Sequence, residues 1–167
     1  MPIRTIIQLG DPALYEPSAE VRREDLERLG GVVRDLADTM KDFRERYGAG
    51  RAIAAPQIAE QIRLVYIDTG EPVVLIDPVI TWRSDETIEL WDDCMSFPEL
   101  LVRVRRNRAI TVRYRDMSWE EKTIEAEGDL SELLQHEIDH LDGVLATMRA
   151  IDERSFACRS ERGRLKG

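Results

Sequence analysis

From Arg23 to about Arg46, apolar residues at Leu26, Leu29, Val33, Leu36, Met40 and Phe43 recur at steps of three and four, the spacing of one helical face. The pattern predicts a long amphipathic helix. Gly30-Gly31 should loosen it, because each glycine costs about 1 kcal/mol relative to alanine, and Gly48-Ala49-Gly50 should end it. Ahead of the helix, Ile3 to Leu9 reads as a short extended segment broken by a Gly10-Asp11-Pro12 turn. Behind it, residues 62–67, 73–76, 88–91, 101–104 and 110–114 read as strands, joined by short connections rich in Gly, Pro, Asp and Asn. A second helix is predicted from about Asp129 to Asp142, with Leu130, Leu133, Leu134, Ile138 and Leu141 for the core and Gly143 as its stop. The charged stretch from Asp152 to about Arg162 is a further helix candidate. Strands first and a buried helix late make an α+β layout.

At 167 residues and 43% hydrophobic content, the chain can bury one sizeable core and is expected to form a single domain, 1–167, with a charged C-terminal segment from about 152. The formal net charge of −9 argues against a broad basic surface for DNA. No stretch approaches the roughly 20 apolar residues that span a bilayer, and the opening Met-Pro-Ile-Arg lacks the apolar run of a signal peptide. A cytoplasmic protein without a membrane partner is therefore expected. The two cysteines, Cys94 and Cys158, are too few for a disulfide framework and fit a reducing compartment.

Candidate chemistry centres on His136-Glu137-Ile138-Asp139-His140. Histidines four apart on a helix lie one turn above each other and can grip one ion, with the glutamate beside it. A catalytic site of this kind needs three protein ligands and one open position. Cys94, in Trp91-Asp92-Asp93-Cys94-Met95-Ser96, is a candidate third, since a thiolate is a strong ligand; the alternative is an inert buried thiol. Cys158 has no such setting and stays unassigned. A third segment, Gly50-Arg51-Ala52-Ile53-Ala54-Ala55-Pro56-Gln57, has small residues that let backbones approach closely and one side-chain amide. On its own it reads as a tight loop leading into a strand.

Taken in order, these segments resemble the signature motifs of the peptide deformylases, G-x-G-L-A-A-x-Q, E-G-C-L-S and Q-H-E-x-D-H. Gln135 to His140 match the third fully and continue into Leu141-Asp142-Gly143-Val144-Leu145. Leu9-Gly10-Asp11-Pro12, Leu75-Ile76-Asp77-Pro78 and Ala126-Glu127-Gly128 carry the resemblance over most of the chain, to about Met148. It implies an α+β fold in which antiparallel strands wrap the histidine-bearing helix, and removal of formyl from the N-terminal formyl-methionine of new polypeptides. It also implies Cys94, His136 and His140 as metal ligands, Glu137 as general acid/base, and Gln57 with the backbone N–H of Met95 as oxyanion donors. Ferrous iron is the implied active ion, with Zn2+, Ni2+ or Co2+ acceptable to the same donors.

The chain departs from these patterns at Arg51 and Ala52 in the first motif, and at Asp92, Asp93 and Met95 in place of glutamate, glycine and leucine in the second. Asp92 is expected to pair with Arg106, the alternative being two solvated charges. Asp93 would favour a cationic or amine-bearing ligand if it faces the site, and change little if it faces solvent. Arg154, Arg159, Arg162, Arg164 and Lys166 read either as a solvated, frayed tail or as a ribosome contact through RNA phosphates. Three other functions stay open: a metal hydrolase for a different formylated or acylated amine; a His-Glu-x-x-His metalloprotease, with its third ligand among Asp142, Asp152, Glu153 and Glu161; and a binding module that retains the fold.

Overall fold

The computed structural model describes residues 3–167. A short 3-10 turn, Pro12–Tyr15, is capped by Asp11, whose carboxylate accepts from the Ala13 N–H. A second turn, Arg23–Asp25, leads into α1, Leu26–Tyr47. This helix runs through Gly30-Gly31 unbroken. Leu29, Val32, Leu36, Met40 and Phe43 are buried in one cluster with Ile53, Leu64 and Ile76, and that packing outweighs the propensity penalty of two glycines. Gly48 closes the helix at φ 67°.

Eight strands are present among the described residues: β1 (Ala52–Ala54), β2 (Leu64–Asp68), β3 (Pro72–Arg83), β4 (Thr87–Asp92), β5 (Leu100–Asn107), β6 (Ala109–Arg115), β7 (Glu121–Glu127) and, late in the chain, β8 (Phe156–Cys158). They form two antiparallel sheets, ordered β1-β2-β3-β6-β7 and β4-β5-β8. β3 extends well past the expected 73–76, with register shifts between Ile76 and Val79 and between Ile80 and Trp82. Those bulges break the alternation of two that marks a strand in sequence. β1 replaces the expected loop, and β7 escaped notice because five of its seven residues are charged or polar.

The second helix, α2 (Asp129–Leu141), packs against β1, β5 and β7, strands of both sheets. Every residue from Ser131 to Leu141 is buried, and Leu133, Leu134, Ile138 and Leu141 share a cluster with Ala54, Val65, Leu75 and Val112. The expected α+β arrangement of antiparallel strands around one helix is thus the observed one. The helix expected over 152–162 is not: Phe156–Cys158 pairs with β5 at Leu100–Val102, and Arg159–Arg164 is a 3-10 turn. An open β5 edge satisfies the backbone of Phe156-Ala157-Cys158 better than a charged, unsupported helix would. No helix among the described residues is long and apolar enough to cross a membrane.

Candidate metal centre

Gln135 fixes the depth at which α2 sits. Its Oε1 accepts from the Asn107 N–H at 3.1 Å, and its Nε2 donates to the Asn107 carbonyl at 2.9 Å, which ties the middle of the helix to the end of β5. His136, Glu137 and His140 follow on the same helix and are all buried. Cys94, just beyond β4, meets them from the second sheet. Its Sγ lies 3.3 Å from His140 Nε2, and the candidate donor atoms of Cys94, His136 and His140 all fall within 4.8 Å of one another. Among the described residues this is the one such cluster. Asp142, Asp152, Glu153 and Glu161, the carboxylates a downstream-ligand metalloprotease would need, take no part in it.

One buried network orients the His136 imidazole, while His140 Nδ1 is buried with no hydrogen-bond partner among the described residues. His136 Nδ1 lies 2.8 Å from Asp92 Oδ2, which leaves its Nε2 for the cluster. Arg106 Nη2 donates to the same Asp92 oxygen at 3.3 Å, and Arg106 also reaches Asp139 on α2, which Arg149 holds in turn. Asp92 and Arg106 are 5% and 4% exposed, so the expected pair exists and is buried rather than solvated. The shorter aspartate side chain still spans the gap.

The first motif is brought in by close packing. Gly50 takes φ +131°, which favours glycine, and it lies against Met95, whose side-chain methyl would have to move from 2.9 Å to admit a Cβ there. Gln57 Oε1 accepts from the Ala54 N–H at 2.9 Å, which turns Nε2 toward Ser96 Oγ at 3.2 Å and Cys94 Sγ at 3.5 Å. The opening segment braces both motifs: Ile7 N–H donates to the Gln57 carbonyl at 2.9 Å and Leu9 N–H to the Ser96 carbonyl at 2.8 Å. Sequence reasoning gave that segment no role in the site.

Electrostatics follow from burial and close charges. Burial opposes charge on His136, yet Asp92 and Cys94 outweigh it and hold the imidazole well above its usual range. Burial and then His136 push His140 well below it. Burial likewise opposes the Asp92 carboxylate, but His136 and Arg106 keep it below the ordinary carboxylate value. Burial pushes Glu137 up to about 7, with His136 pulling down and Asp92 and Glu132 pushing further up. Glu137 Oε2 is buried with no hydrogen-bond partner in the protein. One thiolate and two imidazoles at this spacing, beside a carboxylate oxygen without a partner, suit a divalent metal ion and a water next to it.

A cavity of about 510 Å3 opens onto the cluster, lined among others by Gln57, Met95, His136 and Glu137. Its wall carries two charged pairs, Arg51 with Glu132 and Asp93 with Arg159, the latter at 2.6 Å. Asp93 therefore borders the cavity with its charge matched by an arginine from the C-terminal segment. Arg159 also donates to the Pro98 carbonyl, and Trp91 Nε1 donates to the Lys166 carbonyl at 3.2 Å. The segment is not a frayed tail; it is fastened along the cavity rim. Sequence reasoning missed Glu132 and the position of Arg159. Glu132 was discoverable, because it lies four residues before His136 and so on the same face.

Residues 3–155 match the family model of the polypeptide deformylases. The peptide deformylase of Dictyoglomus thermophilum is 36% identical over 152 residues, covering 90% of this chain and 95% of that protein. That of Natranaerobius thermophilus is 39% identical over 152 residues, covering 90% and 94%. Among solved structures, the peptide deformylase of Thermotoga maritima superposes with a TM-score of 0.84 at 32% identity, over 91% of this chain and 100% of that one. The Synechococcus elongatus peptide deformylase, solved in complex with actinonin, gives 0.84 at 31% identity over 92% and 81%. Since the match runs through both sheets, α2 and all three motif segments, the chain belongs to the peptide deformylase family.

Proposed function

We propose that this chain hydrolyses the N-terminal formamide of formyl-methionyl peptides and nascent proteins, acting in the cytoplasm as one catalytic domain over 1–167. The observation that carries the proposal is the meeting of three metal-type donors within 4.8 Å beside the unpartnered Glu137 carboxylate, in a chain of the deformylase family. Cys94, His136 and His140 are the ligands of one divalent ion. Ferrous iron is the active ion of this reading, with zinc, nickel and cobalt suited to the same donors. When bound, the ion supplies Lewis acidity and lowers the pKa of a water toward about 7.

The remaining work falls to side chains. Glu137 takes a proton from the attacking water and delivers it to the amine nitrogen as the C–N bond breaks, giving formate and a free amino terminus. Gln57 and the Met95 N–H donate to the formyl oxygen as negative charge develops there; a donor of this kind is worth about 3 to 4 kcal/mol. Asp92 fixes His136 in one tautomer, and Arg106 keeps Asp92 charged.

Metal-loaded protein is expected to turn over formyl-Met-Ala-Ser at least about tenfold faster in kcat/KM than a small formamide, because the peptide fills the cavity. Equal rates would point to a different formylated amine, a second reading that the charged cavity wall favours.

Ribosome contact is proposed for Arg154, Arg164 and Lys166, which stay exposed while β8 and Arg159 are built into the fold. Truncation would remove both, so charge reversal at those three positions is the cleaner variant. It should abolish co-sedimentation with ribosomes at low salt; equal pelleting of both proteins would rule the contact out.

A further inference from the structure

The cavity wall nearest the cluster is charged. Glu132 stands one helical turn before His136 on α2, with its side chain 7% exposed. Its partner Arg51 comes from the residue before β1, and both line the cavity together with Asp129. Three carboxylates, those of Glu132, Asp93 and Asp129, act on this one guanidinium. Arg159 is committed to Asp93, and Arg162 lies on the exposed C-terminal turn at the rim. With Asp93 matched by Arg159, Glu132 and the exposed Asp129 stand against Arg51, so the wall, apart from Arg162 at the rim, carries one more carboxylate than cation and is rich in hydrogen-bond acceptors. An apolar substrate side chain laid against it would strip water from charges and offer them nothing, whereas a donor or a cation would replace that water.

We infer that the Arg51–Glu132 pair determines the side-chain selectivity of the site, so that formylated peptides with a cationic or hydrogen-bond-donating first residue are accepted at least as well as formyl-methionyl ones. This rests on the proposal that the site removes formyl groups, and it names the class of substrate the site takes. Neither residue touches the reacting atoms; the pair acts through the surface it presents.

The test uses the metal-loaded protein, the double variant Arg51→Ile/Glu132→Leu, and three probes: formyl-Met-Ala-Ser, formyl-Gln-Ala-Ser and formyl-Lys-Ala-Ser. Both partners are removed together so that no buried charge is stranded. Wild type should process the Lys or Gln peptide at a kcat/KM equal to or above that of the Met peptide. The double variant should shift the Met-to-Lys ratio toward Met by at least about tenfold. An unchanged ratio in a folded, metal-replete double variant would overturn the inference.

Calorimetric binding of the same three peptides to the Glu137→Ala protein gives an independent reading if the double variant does not fold. Equal or tighter binding of the Lys peptide supports the inference, and tenfold tighter binding of the Met peptide overturns it. Should wild type release formate from none of the probes, the deformylase proposal falls, while the binding order still decides what the wall selects.

Discussion

Replacing Glu137 with glutamine is expected to lower kcat on formyl-peptides by about 10² to 10⁴-fold, the span associated with a lost general acid/base, while bound metal stays at one per chain. Glu137 follows His136 directly on a helix that is buried over its whole second half, so it cannot turn away to solvent. Its Oε2 has no partner in the protein, and burial raises its proton affinity far enough for it to hold and release a proton near neutrality. Glutamine keeps the shape and loses only the proton transfer. A loss of metal in step with activity would show instead that Glu137 serves the fold or the ligand set. Elemental analysis beside kcat separates the two.

Cys94→Ala should have the second large effect, on the metal itself. Among the described residues three donors converge, and they come from two places: two from α2 and one from the segment after β4. Removing the thiolate leaves two imidazoles one turn apart, which is insufficient for a tight site. Affinity for the ion is expected to fall by more than about 100-fold, beyond the range seen when a group supporting a ligand is lost, and formate release should fall with it. Retention of one ion per chain would revive a third ligand elsewhere, as in proteases that use a downstream carboxylate. Competition with a chromogenic chelator gives the affinity directly.

How much of this was visible in the sequence depends on how local the determining physics is. α2 declared itself through Leu130, Leu133, Leu134, Ile138 and Leu141, and its candidate metal-binding face through two histidines at helical spacing. β4, β5 and β6 showed apolar alternation over short runs, and β2 a continuous apolar run, Leu64-Val65-Tyr66-Ile67. β1 did not, because three residues are too few for a period and its partner β2 supplies the reason it is extended. β8 takes its conformation from the open edge of β5, a partner more than 50 residues away, so local propensity could not place it.

The same division holds for the site. The Asp92–Arg106 pair was foreseeable from the motif positions, but its burial and its extension to Asp139 and Arg149 depend on how β5 crosses α2. The Asp93–Arg159 contact had no sequence signal at all: it exists because β8 carries the next residue back to the cavity rim. Asp93 therefore does not stand as a free charge beside Cys94, which reduces the effect its carboxylate alone would have on a ligand.

On the proposed mechanism, Cys94, His136 and His140 hold one metal ion with which Glu137 removes a peptide's formyl group. The most direct test is formate release from formyl-Met-Ala-Ser by protein prepared anaerobically with ferrous iron, with bound metal quantified, beside the Glu137→Ala protein. The expected result is one iron per chain in both proteins, with formate released by the wild type and lost in the variant. One iron per chain with no formate release by the wild type, or equal release by both proteins, would contradict it.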